Sequence, residues 1–313
     1  MDMKRRKFFQ LLGIGGGTVA LSKAGKAAAN NTKYGIQNTK VAMGVLVDTT
    51  KCVGCRSCEA ACNEANHLPK PKKPIMDDDA LFDKHRDTSP TAFTVVNRYT
   101  PNGKEITRKQ QCMHCVEPAC SSACIIRAME KQPEGAVTYR SDLCIGCRYC
   151  MVACPFDVPK FEYDKAVPLV KKCQFCFSRQ KEGKQPACVE ACPMGALKFG
   201  PREELLEEAR TRIYTNPKDY VHQIYGEKEA GGTSWMYIAA VPFEQLGLPG
   251  GLTKKAYPEL TLGAMGVVPM VMILWPALLM GLHQFSKQRD TENSRLESVA
   301  PRKIIAPRKD SHD

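Results

Sequence analysis

Cysteine is the residue type in this sequence with the clearest capacity for chemistry, because its thiolate binds soft metals and its thiol forms disulfides. The chain carries sixteen cysteines, and they fall into four groups of four. Cys52, Cys55, Cys58 and Cys62 are spaced C-x2-C-x2-C-x3-C. Cys112, Cys115, Cys120 and Cys124 are spaced C-x2-C-x4-C-x3-C. Cys144, Cys147, Cys150 and Cys154 repeat the first spacing and are followed by Pro155. Cys173, Cys176, Cys188 and Cys192 are spaced C-x2-C-x11-C-x3-C and are followed by Pro193. No cysteine is left over.

The C-x2-C-x2-C-x3-C-P run is the spacing of bacterial ferredoxins. Three thiolates this close wrap one corner of an iron–sulfur cubane, and the same loop turns backbone N–H groups toward its sulfides. The fourth cysteine starts a helix that points away, so it reaches the other cluster of a pair. Gly54 and Gly146 lie inside the tight loops, where a left-handed residue helps, and Pro155 and Pro193 help to end them. All sixteen cysteines are therefore expected to be iron ligands of four [4Fe–4S] clusters.

Other cysteine chemistries fit less well. Structural zinc wants two close pairs around one ion, and a zinc-bound structural protein is the competing class that metal analysis separates. Disulfides fail on the same spacing. Covalent haem needs C-x-x-C-H, whereas Cys112-Met-His-Cys115 holds its histidine inside the pair, so His114 is expected to pack and not to ligate. No general acid, base or nucleophile constellation is present, and no catalytic residue is expected.

The elements that position these loops are legible in outline. Apolar runs from Met43 to Val47, Ala136 to Tyr139 and Ala196 to Phe199 flank the groups and read as strands. Residues 63–111, with Pro69, Pro71 and Pro74, read as an insertion. Pro201 to Arg212 reads as a helix, with proline at its start and acids in its early turns. Residues 218–258 carry no chemical motif and are expected to wrap the surface or meet a partner. The fold class expected is α+β, with two interleaved ferredoxin-like modules over residues 30–200 and an extension over 201–259.

Both ends of the chain read as addresses. Arg5-Arg6-x-Phe8 is the core of a twin-arginine export signal. A glycine-rich apolar stretch and Ala27-Ala28-Ala29 complete a signal over residues 1–29. That route carries proteins already folded around their cofactors, which reconciles metal-type cysteines with an oxidising destination. Leu260 to Leu282 contains 23 residues without a charge, long enough to span a bilayer. Pro269 and Pro276 within it are tolerated in membrane helices. Lys287, Arg289, Arg295 and Arg302 follow the span, against Lys254 and Lys255 before it. The positive-inside rule then puts residues 283–313 in the cytoplasm and the cysteine domain on the periplasmic face. The formal charge is +12, much of it from the Lys and Arg of the signal. No basic run adjoins a nucleic-acid module, so no nucleic-acid partner is expected.

Taken together, these features resemble the iron–sulfur subunits of membrane-bound respiratory oxidoreductases. The residues that carry the resemblance are Gln111 to Pro118 (QCMHCVEP), Cys147 to Lys160 (CRYCMVACPFDVPK), Tyr225 to Thr233 (YGEKEAGGT) and Val241 to Pro249 (VPFEQLGLP). Within that group the chain resembles the HybA-type electron-transfer subunits of hydrogenase-2, and it also resembles the formate dehydrogenase β subunit, less so after Tyr225. The resemblance implies that the first group of cysteines pairs with the fourth and the second with the third. One cluster would then take Cys52, Cys55, Cys58 and Cys192, and another Cys62, Cys173, Cys176 and Cys188. A third would take Cys112, Cys115, Cys120 and Cys154, and the last Cys124, Cys144, Cys147 and Cys150. It further implies a non-catalytic wire. Electrons would pass from [NiFe] hydrogenase small and large subunits, or from a formate dehydrogenase or related molybdopterin subunit, to a multi-span quinone-reactive membrane subunit. One departure from the family is Ile125, where relatives often have proline.

Overall fold

The computed structural model describes residues 42–71 and 73–299; the export signal expected at 1–29 lies outside them. The chain divides after Leu260 into two units.

The first unit begins with β1 (Met43–Asp48), followed by α1 (Ser57–Ala65) and a hairpin of β2 (Val95–Tyr99) and β3 (Ile106–Gln110). Next come α2 (Ala119–Ser122), the hairpin β4 (Met129–Lys131) and β5 (Val137–Tyr139), and α3 (Tyr149–Ala153). A two-residue ladder, β6 (Lys160–Phe161) and β7 (Val170–Lys171), leads to α4 (Phe177–Lys181) and α5 (Ala187–Glu190). The unit continues through β8 (Leu197–Pro201), α6 (Arg202–Thr215) and β9 (Trp235–Ile238).

One sheet organises the unit. Its strand order is β8-β1-β9, with β1 antiparallel to β8 and parallel to β9. Successive side chains of a strand face opposite ways, and this sheet buries both faces. Val45 and Val47 of β1 join Trp235 and Tyr237 of β9 in a core that also holds Met113, Phe175 and Cys188. Leu46, Met236 and Ile238 face the other way, onto Leu205, Leu206, Ala209 and Ile213. Those four residues form the apolar stripe of α6, whose first turn carries Glu203 and Glu204 and whose last carries Arg212, matching the helix dipole. The sheet thus has a helix on one side and cysteine loops on the other. A smaller core of Met129, Val137 and Val170 lies beside Cys120 and Cys150.

The mixed helix and sheet content and the paired cysteine modules give the α+β, ferredoxin-like class expected. One stretch differs from its reading in the sequence, and the stretch read as an insertion gains detail. Residues 218–258 are not a surface wrap: they supply β9, whose Trp235, Met236, Tyr237 and Ile238 are all fully buried. The insertion holds a true hairpin, tied down by Glu59 of α1. That buried carboxylate receives Arg86 through both guanidinium arms, at 3.0 and 2.7 Å, and also the N–H of Val96.

The second unit is the helix α7 (Tyr257–Val299), which begins just before the division and contains Pro269 and Pro276. It is long and apolar enough to cross a membrane.

Candidate iron–sulfur centres

The first and third cysteine loops repeat one another residue by residue. Cys52-Val-Gly-Cys-Arg-Ser-Cys58 and Cys144-Ile-Gly-Cys-Arg-Tyr-Cys150 place glycine at φ 71° and 72° and arginine at φ 61° and 59°. In each, the left-handed arginine immediately precedes a helix, α1 or α3, that carries the third cysteine of its group. The glycine allows its loop to curl without steric cost.

The second and fourth loops make the same turn with larger residues. His114 in Cys112-Met-His-Cys115 has φ 48°, and Phe175 in Cys173-Gln-Phe-Cys176 has φ 61°. Three of the turns that follow the last cysteine of a group are also alike. Arg127, Asp157 and Gly195 lie three residues after Cys124, Cys154 and Cys192 at φ 55°, 48° and 58°. Ile125 therefore leaves its turn in the same shape as Pro155 and Pro193 leave theirs.

The structure gathers the thiols around cavities. Cys52, Cys55, Cys58 and Cys192 line one of about 430 Å³, together with Gly54, Arg56 and Lys109. Cys62, Cys173, Cys176 and Cys188 line a second of about 330 Å³, with Lys109 and Trp235. Cys124, Cys144, Cys147 and Cys150 line a third of about 320 Å³, with Tyr139 and Arg148. Cys112, Cys115, Cys120 and Cys154 also lie within electrostatic reach of one another. Burial pushes the Cys115 thiol up first, and the nearby thiols of Cys154, Cys112 and Cys120 add to it.

Protonation follows from this burial. Burial chiefly pushes Cys120 and Cys173 up to about 12, and Cys150 and Cys154 to about 11. Free thiols here hold their protons at neutral pH, so ligation releases them and binding strengthens as pH rises. Several hydrogen bonds are aimed at sulfur. The N–H groups of Ala128, Gly146 and Phe175 donate to Cys124, Cys144 and Cys173 at 3.2, 3.4 and 3.3 Å. The Thr107 hydroxyl donates to Cys52 Sγ at 3.2 Å and the Asn66 amide to Cys62 Sγ at 3.5 Å.

These residues fit an iron–sulfur cluster better than a single ion. Among the described residues no three His, Cys, Asp or Glu side chains close on a point where one metal ion would sit. Four thiols spread around the rim of one cavity, not closing on a point, instead suit a body of several atoms. The indole N–H of Trp235 adds a second sign: it is buried in the wall of the second cavity and has no protein acceptor. Buried donors are normally paired, and a sulfide or thiolate inside the cavity would supply the acceptor.

His114 packs, as the sequence suggests. It is fully buried, accepts the Val137 N–H on Nδ1 at 2.9 Å, and stacks on Phe175. Burial first, then the cations of Lys172 and Lys131, holds its pKa well below the ordinary value. Lys109, Trp235 and Thr107 are site residues that cysteine spacing does not reveal. The run Ile106-Thr-Arg-Lys-Gln110 has no polar–apolar alternation, so no local signal marks this strand or what it faces.

Comparison with known proteins agrees with this chemistry. Residues 105–202 match the model of a 4Fe-4S dicluster domain. A protein of Nitratidesulfovibrio vulgaris is 48% identical over 97% of this chain and 82% of its own length. The hydrogenase-2 operon protein HybA of Escherichia coli is 37% identical over 79% of this chain and 84% of its own. The iron–sulfur subunit of the nitrate-inducible formate dehydrogenase of Escherichia coli is 35% identical over 65% of this chain and 70% of its own. With its cysteine loops, its buried sulfur-directed donors and this breadth of similarity, the chain belongs to the HybA-type family of iron–sulfur electron-transfer subunits.

Proposed function

We propose that this chain is the electron-carrying subunit of a membrane-bound hydrogenase complex on the periplasmic face. It would link [NiFe] hydrogenase subunits to a quinone-reactive membrane subunit. The observation that carries the reading is the gathering of thiols, in fours, around separate cavities within one small fold. Cys52, Cys55, Cys58 and Cys192 would hold one [4Fe–4S] cluster, and Cys62, Cys173, Cys176 and Cys188 a second. Cys112, Cys115, Cys120 and Cys154 would hold the third, and Cys124, Cys144, Cys147 and Cys150 the fourth. When bound, such clusters supply reversible one-electron chemistry at potentials set by hydrogen bonds to sulfur, burial and local charge.

The chain's own residues do the rest. The left-handed loops aim backbone N–H groups at the sulfurs, and Val45, Val47, Trp235 and Tyr237 keep water from the first two sites. The His114–Phe175 stack joins the loop of one module to the loop of the other. Ile125, Ile145, Tyr149 and Val152 are exposed apolar residues beside the third cavity or on its loops. A cluster of such residues suits contact with a protein partner, as an electron donor or acceptor needs. The twin-arginine motif, the uncharged residues 260–282 of α7 and the basic residues Lys287, Arg289 and Arg295 that follow that stretch support export with one membrane span.

Similarity to HybA reaches across 280 residues, against 210 for the formate dehydrogenase subunit, and this favours hydrogen as the electron source. The test is to extract the protein from membranes without oxygen and expose it to hydrogen or to formate. Bleaching of its visible absorbance by hydrogen, with a nickel-containing partner present, is expected. Bleaching by formate alone, with a molybdenum or tungsten partner, replaces the hydrogenase with a formate dehydrogenase.

A further inference from the structure

Lys109 lies on β3 and is only 2% exposed. Its side chain lines both the cavity of Cys52, Cys55, Cys58 and Cys192 and the cavity of Cys62, Cys173, Cys176 and Cys188. A closed circuit fixes it. The ammonium donates to Gln111 Oε1 at 2.9 Å, and the Gln111 amide donates to the Tyr237 hydroxyl at 2.7 Å. That hydroxyl donates to the backbone oxygen of Lys109 at 3.1 Å. The ammonium also lies 4.3 Å from the centre of the Trp235 ring.

Among the described residues no carboxylate pairs with it. A buried cation without a counter-charge is costly, so something else must compensate this one. Two other lysines near cysteines, half-buried Lys131 and buried Lys172, meet backbone oxygens. Lys131 donates to the carbonyls of Cys115 and Gly135, each at 2.7 Å, and Lys172 to those of Val137 and Cys173. Lys109 instead faces sulfur.

We propose that Lys109 is a positioning charge shared by two neighbouring clusters, raising the reduction potential of both. The inference rests on reading the two cavities as cluster sites. Reduction adds one negative charge to a cluster. A fixed cation in a water-poor wall between two such sites stabilises the reduced form of each, with little screening. The cavity of Cys124, Cys144, Cys147 and Cys150 has no lysine in its wall; its one cation there is Arg148, whose guanidinium lies 5.5 and 5.7 Å from the rings of Phe161 and Tyr163.

The test is a redox titration followed by electron paramagnetic resonance, on full-length protein extracted without oxygen, with iron counted in each sample. Lys109→Met removes the charge and keeps most of the volume. In that variant two of the four potentials are expected to fall and two to stay. Cys55→Ser and Cys176→Ser assign signals to the two cavities. Lys109→Arg keeps the charge and is expected to leave the potentials close to the parent values. Unmoved potentials in a fully loaded Lys109→Met protein, or an equal shift at all four clusters, overturn the proposal. If Lys109→Met and Lys109→Gln lose iron, Lys109→Arg decides. Full iron with near-parental potentials supports the charge role; loss of iron there too means the side chain only packs, and overturns it. Parent protein without iron would instead overturn the cluster reading itself.

Discussion

The imidazole of His114 stacks on the ring of Phe175, with centroids 4.9 Å apart and planes 20° from parallel. Each residue occupies the third position of a C-x-x-C loop, and each has the left-handed backbone that glycine provides in the other two loops. Two bulky residues therefore accept a conformation that costs about 1–2 kcal/mol each, and a stacked contact with burial offsets it. Phe175 also meets Trp235 at 5.8 Å and Phe199 at 6.1 Å.

Phe175→Ala keeps the backbone strain and loses the stack. The expected cost is about 3–5 kcal/mol, read as a lower urea midpoint for loss of the visible absorbance. An unchanged midpoint would mean that the ring bears no load.

The two loop glycines differ in their surroundings. A Cβ on Gly54 would lie 2.8 Å from Thr107 Cγ2, whereas a Cβ on Gly146 would meet nothing closer than 3.7 Å, at Phe161. Gly146→Ala is expected to cost only the left-handed penalty, about 1–2 kcal/mol. Gly54→Ala must also push Thr107, whose hydroxyl donates to the carbonyl and sulfur of Cys52. It should be the worse variant in thermal melts and in iron retention. Equal losses in the two variants would contradict this difference.

Arg202 pins the segment before β9 to the start of α6. Its Nε donates to the Thr233 oxygen at 2.8 Å, and Nη2 to the oxygens of Glu227 and Gly226 at 3.0 and 3.3 Å. Arg202→Ala strands these acceptors and is expected to cost about 3 kcal/mol. Arg202→Lys is expected to recover only part of that, because an ammonium cannot reproduce the planar fork. Full recovery in a denaturant titration would show that charge alone matters.

Glu208 on α6 gives a smaller, pH-dependent contribution. Partial burial would raise its pKa, but hydrogen bonds from Lys198 and Arg212, at 2.6 and 2.5 Å, outweigh it and hold the pKa below the ordinary 4.5. A depressed carboxylate stabilises the fold above its unfolded pKa and loses that contribution as pH falls through the folded value. Glu208→Gln should therefore lower stability near neutrality by less than about 1 kcal/mol and converge with the parent in acid. A gap that widens in acid would contradict the sign.

Much of the site was legible because cluster chemistry imposes short-range spacing. Three close cysteines and an inner glycine are local features, and so are the strands that flank them. The distant cysteine of each group is a different matter. Nothing in the spacing of Cys188 and Cys192 says which loop they face, and the family resemblance supplied that assignment. Lys109 was invisible for the same reason: its role depends on a hairpin crossing between two loops far from it in sequence. β9 escaped because Trp-Met-Tyr-Ile is buried on both faces, which removes the polar–apolar alternation by which a half-buried strand is recognised. The segments carrying Arg202 and Thr233 meet only in the folded chain.

The most direct test of the whole account is the iron content of full-length protein extracted from membranes without oxygen. Four [4Fe–4S] clusters predict about sixteen iron atoms per chain, a like amount of acid-labile sulfide, and about four fewer of each after Cys147→Ser. About four zinc atoms per chain with no labile sulfide would contradict it, making the thiol cavities structural metal sites and removing the basis for electron transfer.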